Sequence, residues 1–323
     1  MNAVSYVVYI ILQILCIPLA IVGIAVTGYK QIKVSAKLGV SQTAIEILNG
    51  RWTMDIFGMR SDPATVALAK ALPNTSTNGL WVTLFPLWVK YKISGKWAIY
   101  PTLPPEGQEK IMNLVPSRTM YFDGILQREL VGAEQFVMMG AGYDTRAFRE
   151  DIRDKGVKIF ELDQATTQRQ KLGILKSLGF DIGDVSFLEV DFRVDDIFEI
   201  LKSAGYDPKK KTVFLWEGVT LYLTEAEVTA TMAQVLENAS KGSILVADFY
   251  GTRMLRIGQT GPTKKTLDET NEDMVFGFDF SSNWAQTLET FATDRGYAAG
   301  ETHFMGSDDK NGPFVAVTEL IIK

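Results

Sequence analysis

Residues 135–149, QFVMMGAGYDTRAFR, form the stretch best suited to chemistry. An apolar run, Phe136 to Met139, stops at Gly140-Ala141-Gly142, and an acid, Asp144, follows. A short apolar run bounded in this way reads as a buried parallel strand. Two close glycines let the chain turn tightly while its backbone approaches a ligand. The stretch therefore reads as the strand–turn–helix opening of a nucleotide-type cofactor site, at the carboxyl end of the first strand of a doubly wound sheet. A dinucleotide site would carry a third glycine where this chain has Thr145 and Arg146, and Asp144 would repel a pyrophosphate. An acid there suits a cofactor bearing an ammonium group, and it can also cap the helix expected over 145–154.

Three more strand ends carry suitable side chains. Asp163 ends KIFELD, 21 residues after Gly142, where a carboxylate can accept two hydrogen bonds from a ribose diol. Asp191 and Phe192 end SFLEVDF, placed to take an adenine amino group and flank its ring. Glu217 and Gly218 open the loop after the fourth strand, within FLWEGVTLYLTEAEV, at an edge that can touch cofactor or substrate. The apolar neighbours Trp216, Val219 and Leu221 predict a raised pKa for Glu217. Tyr222 reads as packing ahead of catalysis, and Thr224 with Glu227 forms a capping box.

Two scarcities exclude whole chemistries. The one cysteine, Cys16, lies in an apolar segment, so no disulfide framework, thiolate metal site or cysteine nucleophile is available. The one histidine, His303, leaves no His-rich metal site and would have to be the base of any Ser-His-Asp arrangement.

The elements that must position these residues alternate regularly. Strands are expected at 135–140, 158–163, 186–191, 211–216 and 243–249, with helices at 145–154, 165–179, 195–205 and 224–239, which means βαβ units and a parallel sheet. A helix near 283–295 and a hairpin of strands, 300–305 and 314–322 around SDDKNG, make seven strands with the last antiparallel. Upstream, helices are expected at 41–58, at 62–72 with Asp62 as N-cap and Pro63 at N1, and at 106–130 with an interruption near Pro116. PTLPPEG at 101–107 marks a boundary.

Val4 to Thr27 carries no charge; those 24 residues would span about 36 Å as a helix, enough for a hydrocarbon core of roughly 30 Å. Lys30, Lys33 and Lys37 follow, predicting an anchor with the remainder on the cytoplasmic side. Leu80 to Tyr100 alternates Trp81, Trp88 and Trp97 with Lys90, Lys92 and Lys96, suiting either an interfacial element or packing onto the globular part. The expected organisation is an anchor at 1–29, a basic and aromatic stem at 30–105, and a catalytic domain at 106–323. Residues 30–100 carry nine Lys or Arg against three Asp or Glu, so the rest must be acidic to reach the net charge of −5. That distribution suits an anionic leaflet and argues against nucleic acid.

GAGYDTRAFR, ELD, VDFR and WEGVTLYLTEAEV, in that order and spacing, with SRTMYFD at 117–123 upstream, resemble the S-adenosylmethionine-dependent methyltransferases of the leucine carboxyl methyltransferase family over residues 106–323. The resemblance implies a Rossmann-like class I methyltransferase fold and S-adenosyl-L-methionine as cofactor. It implies that Arg118 clamps the methionine carboxylate and that Gly140, Ala141 and Gly142 line the methionine part. It further implies that Asp144, Arg146 and Gln164 border the cofactor, that Asp163 holds the ribose and Asp191 with Phe192 the adenine, and that Glu217 faces the cofactor amino group or the acceptor. Residues 1–105 depart from that family's plan of short closing helices. The expectation is O-methylation of a small or lipophilic carboxylate or hydroxyl, without metal, with Glu217 and Tyr222 as catalytic candidates and residues 251–281 as an insertion covering the substrate. An NAD-type oxidoreductase and a non-catalytic membrane protein on the same fold are the rivals, and homo-oligomerisation is left open.

Overall fold

A computed structural model describes residues 2–323. Seven strands form one sheet in the order β3-β2-β1-β4-β5-β7-β6: β1 (Gln135–Met139), β2 (Lys158–Asp163), β3 (Val185–Glu189), β4 (Thr212–Trp216), β5 (Ile244–Tyr250), β6 (Tyr297–Met305) and β7 (Val315–Ile322). The first five pair in parallel, and β7 inserts antiparallel between β5 and β6. The expected doubly wound sheet with a reversed final strand is what the chain builds. Strands β1, β4 and β5 are buried along their whole length, which is why they read as mainly apolar runs, with Asp248 the one acid among them. The topological switch lies between β1 and β4, the place where an open α/β sheet forms its ligand-binding crevice.

Helices cover both faces. The first are α1 (Asn2–Tyr29), α2 (Ser35–Leu38), α3 (Gln42–Ile56), α4 (Pro63–Ala71), α5 (Thr77–Ser94) and α6 (Leu114–Glu129). The remainder are α7 (Glu150–Arg153), α8 (Ala165–Ser177), α9 (Ile197–Ser203), α10 (Glu225–Asn238), α11 (Thr252–Gly258), α12 (Gly261–Asp268) and α13 (Trp284–Thr293). Asp62 caps α4 through its side chain with Pro63 behind it, and Thr224 with Glu227 caps α10 in a reciprocal box. Pro116 does not interrupt its helix. It sits in the first turn of α6, where a missing N–H costs no intrahelical bond. The helix expected over 145–154 is instead a 3₁₀ turn (Arg146–Phe148) followed by the single turn of α7, because Arg149 is extended at φ −80°, ψ 138°.

Residues Ala3–Leu38 run as one long apolar helix, with a π-helical turn at Lys30–Val34, and meet the length and composition needed to cross a membrane. Ile10, Ile14, Leu15, Ile21 and Val22 are exposed along it. The segment expected to be interfacial or packed, 80–100, is helical up to Ser94 as part of α5, which lies along α1, and is irregular beyond it. Gly23 and Gly79 meet at the crossing, where a β-carbon on Gly23 would stand 2.6 Å from the Gly79 carbonyl. Lys90 lies 4.2 Å over the Tyr6 ring further along the pair. On its other side α5 packs Trp81 edge-on against Trp52 of α3, and this cluster includes Tyr143 from the turn after β1. The stem is thus packed directly against the turn after β1.

The glycine crossing is a close backbone approach that no larger residue permits. Replacing Gly79 with Ile should destabilise the protein by about 1–3 kcal/mol through overpacking, seen as a lowered melting temperature in detergent. An unchanged melt would refute the close packing of α1 on α5.

Candidate functional site

The turn after β1 is fixed by three neighbours at once. Gly140 and Ala141 donate their backbone N–H groups to the Leu162 carbonyl at 2.8 and 2.9 Å. Gly142 N donates to Asp163 Oδ2 at 2.6 Å, while Gln164 N donates to Oδ1 at 2.7 Å. Gly140 (φ +72°) and Gly142 (φ +51°) occupy the left-handed region. At Gly140 a side chain would also collide with Val219 from the loop after β4. The ends of β1, β2 and β4 are therefore locked together by contacts that require glycine at 140.

Around that turn lies a buried charge network. Arg51 of α3 donates through Nη2 to both oxygens of Glu217 at 2.8 Å and pairs through Nη1 with Asp144 at 2.9 Å. Arg146 donates Nε to Asp123 at 2.7 Å and Nη1 to Glu217 at 2.6 Å and to Asp144. Arg118 of α6 pairs with Asp248 at 2.9 Å and with Glu217 at 3.3 Å, and donates to the Tyr250 hydroxyl. Arg60 joins Asp123, at 2.6 Å, to Asp62, and Arg149 approaches Asp123 as well. Thr145 Oγ1 donates to the Asp62 carboxylate at 2.9 Å. Five guanidiniums thus face these five carboxylates in near charge balance, with Asp151 adding a sixth acid on Arg149 at 2.7 Å.

This balance decides the ionisation of its members. The raised pKa expected for Glu217 is overturned. Burial acts upward, but Arg146, Arg51 and Arg118 together hold the carboxyl below its ordinary value. Asp144 and Asp123 likewise have burial working upward and lie well below the usual range, Asp144 through Arg146, Arg51 and Arg60, Asp123 through Arg146, Arg60 and Arg149. Asp248 goes the other way, since burial outweighs its single guanidinium partner, Arg118. Beneath the turn, Lys171 pairs with Glu161 at 2.6 Å and donates to the Asp144 carbonyl. Both side chains are fully buried, and burial pushes Glu161 up to about 7 against the pull of Lys171.

The sequence-predicted residues fall at one edge of the sheet. Gly140, Ala141, Gly142 and Asp144 follow β1, Asp163 and Gln164 end β2, Asp191 and Phe192 follow β3, and Glu217 follows β4. Arg118 enters from α6. Asp191 caps its own turn, accepting from Arg193 N at 3.0 Å, and Phe192 packs on the core. Tyr222 donates its hydroxyl to Thr43 Oγ1 at 3.0 Å, and burial with the nearby Glu272 raises its pKa far above the ordinary value, which opposes service as a base. His303 stacks on Tyr121 at 4.2 Å between Glu106 and Glu301, on edge strand β6. Arg51, Arg60, Asp123, Asp248 and Tyr250 were not anticipated, and Asp62 was expected only as the cap of α4. Asp248 had a signal, as a lone acid within ILVADFY, whereas Arg51 had none because its place depends on how α3 docks.

Residues 251–281 contain two short helices, α11 and α12, and the chain after α12 reaches the stem. Glu272 accepts from Ser41 Oγ at 2.6 Å, from Gln42 N at 3.1 Å and from Thr43, closing the start of α3.

A seven-stranded sheet in this order, with a reversed penultimate strand and a glycine turn at its switch point, defines a class I methyltransferase fold. A family model described as leucine carboxyl methyltransferase matches residues 90–236. A Streptomyces avermitilis protein described as an S-adenosyl-L-methionine-dependent methyltransferase is 31% identical over 194 residues, 58% of this chain and 67% of that protein. A Bacillus subtilis protein of the same description, YktD, is 32% identical over 135 residues, 41% and 44% of the two chains. The match thus spans about half to two thirds of these relatives' length. The crystal structure of a DUF574 family protein from Streptomyces avermitilis superposes with a TM-score of 0.49 at 14% identity, covering 85% of this chain and 97% of that one. The chain belongs to the leucine carboxyl methyltransferase family, whose cofactor is S-adenosyl-L-methionine.

The site fits that cofactor. Arg51 Nε, Arg118 Nε and Arg146 Nη2 are buried without a hydrogen-bond partner, so the network retains donors for one more anionic group such as the methionine carboxylate. Each oxygen of Asp163 accepts one backbone N–H and keeps a second lone pair for a diol.

Asp123 is the hub of three guanidiniums, so Asp123→Asn should cost about 3–5 kcal/mol in chemical denaturation at pH 7 by leaving buried cations uncompensated. A depressed carboxyl stabilises fully above its unfolded pKa of about 3.9 and loses that contribution as pH falls through its folded value. The gap between wild type and variant should therefore narrow below about pH 4. A gap that stays constant down to pH 2 would refute the assignment.

Proposed function

We propose that the chain is a membrane-anchored methyltransferase that methylates an oxygen, carboxylate or hydroxyl, on a small or lipophilic acceptor, with membrane lipids as its surroundings and partner. The observation that carries the donor side is the set of unpaired guanidinium nitrogens beside the Gly140–Gly142 turn. Arg118 is the residue for the methionine carboxylate, Gly140, Ala141 and Gly142 for the methionine chain, Asp163 and Gln164 for the ribose, and Asp191 with Phe192 for the adenine. Asp144, already shared between Arg51 and Arg146, acts mainly by fixing those two guanidiniums. Glu217, braced by three cations, orients Arg118 rather than taking a proton.

S-adenosyl-L-methionine supplies an electrophilic methyl group on a sulfonium. The protein's part is alignment, which can contribute about 7–11 kcal/mol, and exclusion of water. A carboxylate acceptor is already ionised near neutral pH and needs no base, which is compatible with a catalytic edge lacking histidine. The exposed apolar side chains of α1 support insertion in a bilayer, and Lys30, Lys33 and Lys37 at its end support a cytoplasmic catalytic face. The family membership gives no support to a nicotinamide oxidoreductase or a non-catalytic scaffold.

Titration calorimetry should find S-adenosyl-L-methionine binding in the full-length protein and its loss, by about a hundredfold or more, in Arg118→Ala and Asp163→Asn, each of which removes a charge-assisted contact. Wild-type affinity in both variants would overturn the donor site. Alkaline carbonate should leave the full-length protein in the membrane pellet; release into the supernatant would overturn the anchor.

A further inference from the structure

A cavity of about 210 Å³ lies between the end of α1, the outer face of α3 and the first half of α5. Its lining includes Thr27, Glu46, Asn49, Leu80, Leu84 and Tyr100. Asn49 is only 6% exposed, yet neither its Oδ1 nor its Nδ2 has a partner, and Thr27 Oγ1 is also unpaired. Leaving such a group unsatisfied costs roughly 1–3 kcal/mol, so a buried amide with all its valences open calls for a hydrogen-bonding occupant. Leu80 and Leu84 give the same cavity an apolar wall.

The cavity adjoins the catalytic edge. Glu46, Asn49 and Thr53 share one face of α3, while Arg51 leaves from another side of the same helix into the charge network. The Arg118 guanidinium acts on the Glu46 carboxyl. Burial, reinforced by Glu272, holds the Glu46 carboxyl above its ordinary value against the pull of Arg118, and Tyr100 is pushed up to about 12 by burial and by Glu46. A carboxylate head would meet Glu46, and no lysine or arginine is among the described residues lining the cavity. A neutral hydroxyl can donate to Glu46 or to Asn49 Oδ1 and accept from Asn49 Nδ2. One of the three walls, α1, is the helix read above as inserting in the bilayer, and a second, α5, lies along it.

We propose that this cavity is the acceptor subsite and takes a hydroxyl-bearing amphiphile from the membrane, its head held by Asn49 and Glu46 and its apolar part lying along Leu80 and Leu84. The hydroxyl oxygen would bond to the methyl carbon as the carbon–sulfur bond of the sulfonium breaks, and its proton would pass to the Glu46 carboxylate. The proposal rests on the reading of the chain as a membrane-anchored methyltransferase and narrows its acceptor to a hydroxyl compound. The test uses the full chain in lipid nanodiscs, with equilibrium binding of 4-octylphenol and of 4-octylbenzoate, and S-adenosyl-L-homocysteine binding measured in parallel. Wild type should bind 4-octylphenol saturably and more tightly than 4-octylbenzoate. Asn49→Leu should weaken that binding about tenfold and Leu84→Trp, which fills the cavity, should abolish it, while both variants keep wild-type affinity for S-adenosyl-L-homocysteine. Unchanged 4-octylphenol binding in both variants, or equal affinity for the benzoate, would overturn the proposal. Failure of wild type to bind S-adenosyl-L-homocysteine would instead overturn the methyltransferase reading, independently of what the cavity holds.

Discussion

The pairing of Arg51, Arg118 and Arg146 with Glu217, Asp144 and their neighbours is the interaction on which the rest of this structure depends. Buried charges are tolerable only when each is matched and hydrogen-bonded, and here the partners come from α3, α6 and the loops after β1 and β4. Closing the network therefore fixes the positions of four separate chain segments at the crevice where the sheet switches direction. A fully matched set is costly to break and adds little net stability over an apolar core of the same volume. Its value is positional: it holds several guanidinium nitrogens near the glycine turn with valences still open.

The same network couples the N-terminal helices to the chemistry. Arg51 belongs to α3, and α3 packs on α5, which packs on α1. Glu272, from the insertion after β5, caps the start of α3 and so ties the other side of the crevice to the stem. A disturbance of the long apolar helix consequently has a short physical route to the donor site, through packed side chains and one helix.

Much of the fold was legible because its signals are local. Mainly apolar runs gave β1, β4 and β5, side-chain caps gave α4 and α10, and SDDKNG gave the hairpin that ends the sheet. Where local rules misled, a tertiary term had won. The 145–154 segment had helical composition, but Asp144 and Arg146 are committed to partners across the crevice, and the chain at Arg149 is extended instead. Glu217 has apolar neighbours in sequence and cationic neighbours in space, so the expected direction of its pKa was reversed.

The sequence by itself determined the sheet, its switch point and the glycine turn, since strand patterning and left-handed backbone positions are properties of a few consecutive residues. It also determined that a long apolar helix leads the chain. Only the tertiary structure decided which arginines surround that turn and which carboxylates they neutralise. Arg51 stands 166 positions before Glu217, and nothing along the chain marks the two as partners. Their contact follows from the docking of α3, and that docking is set by packing against α5 and Tyr143 in three dimensions.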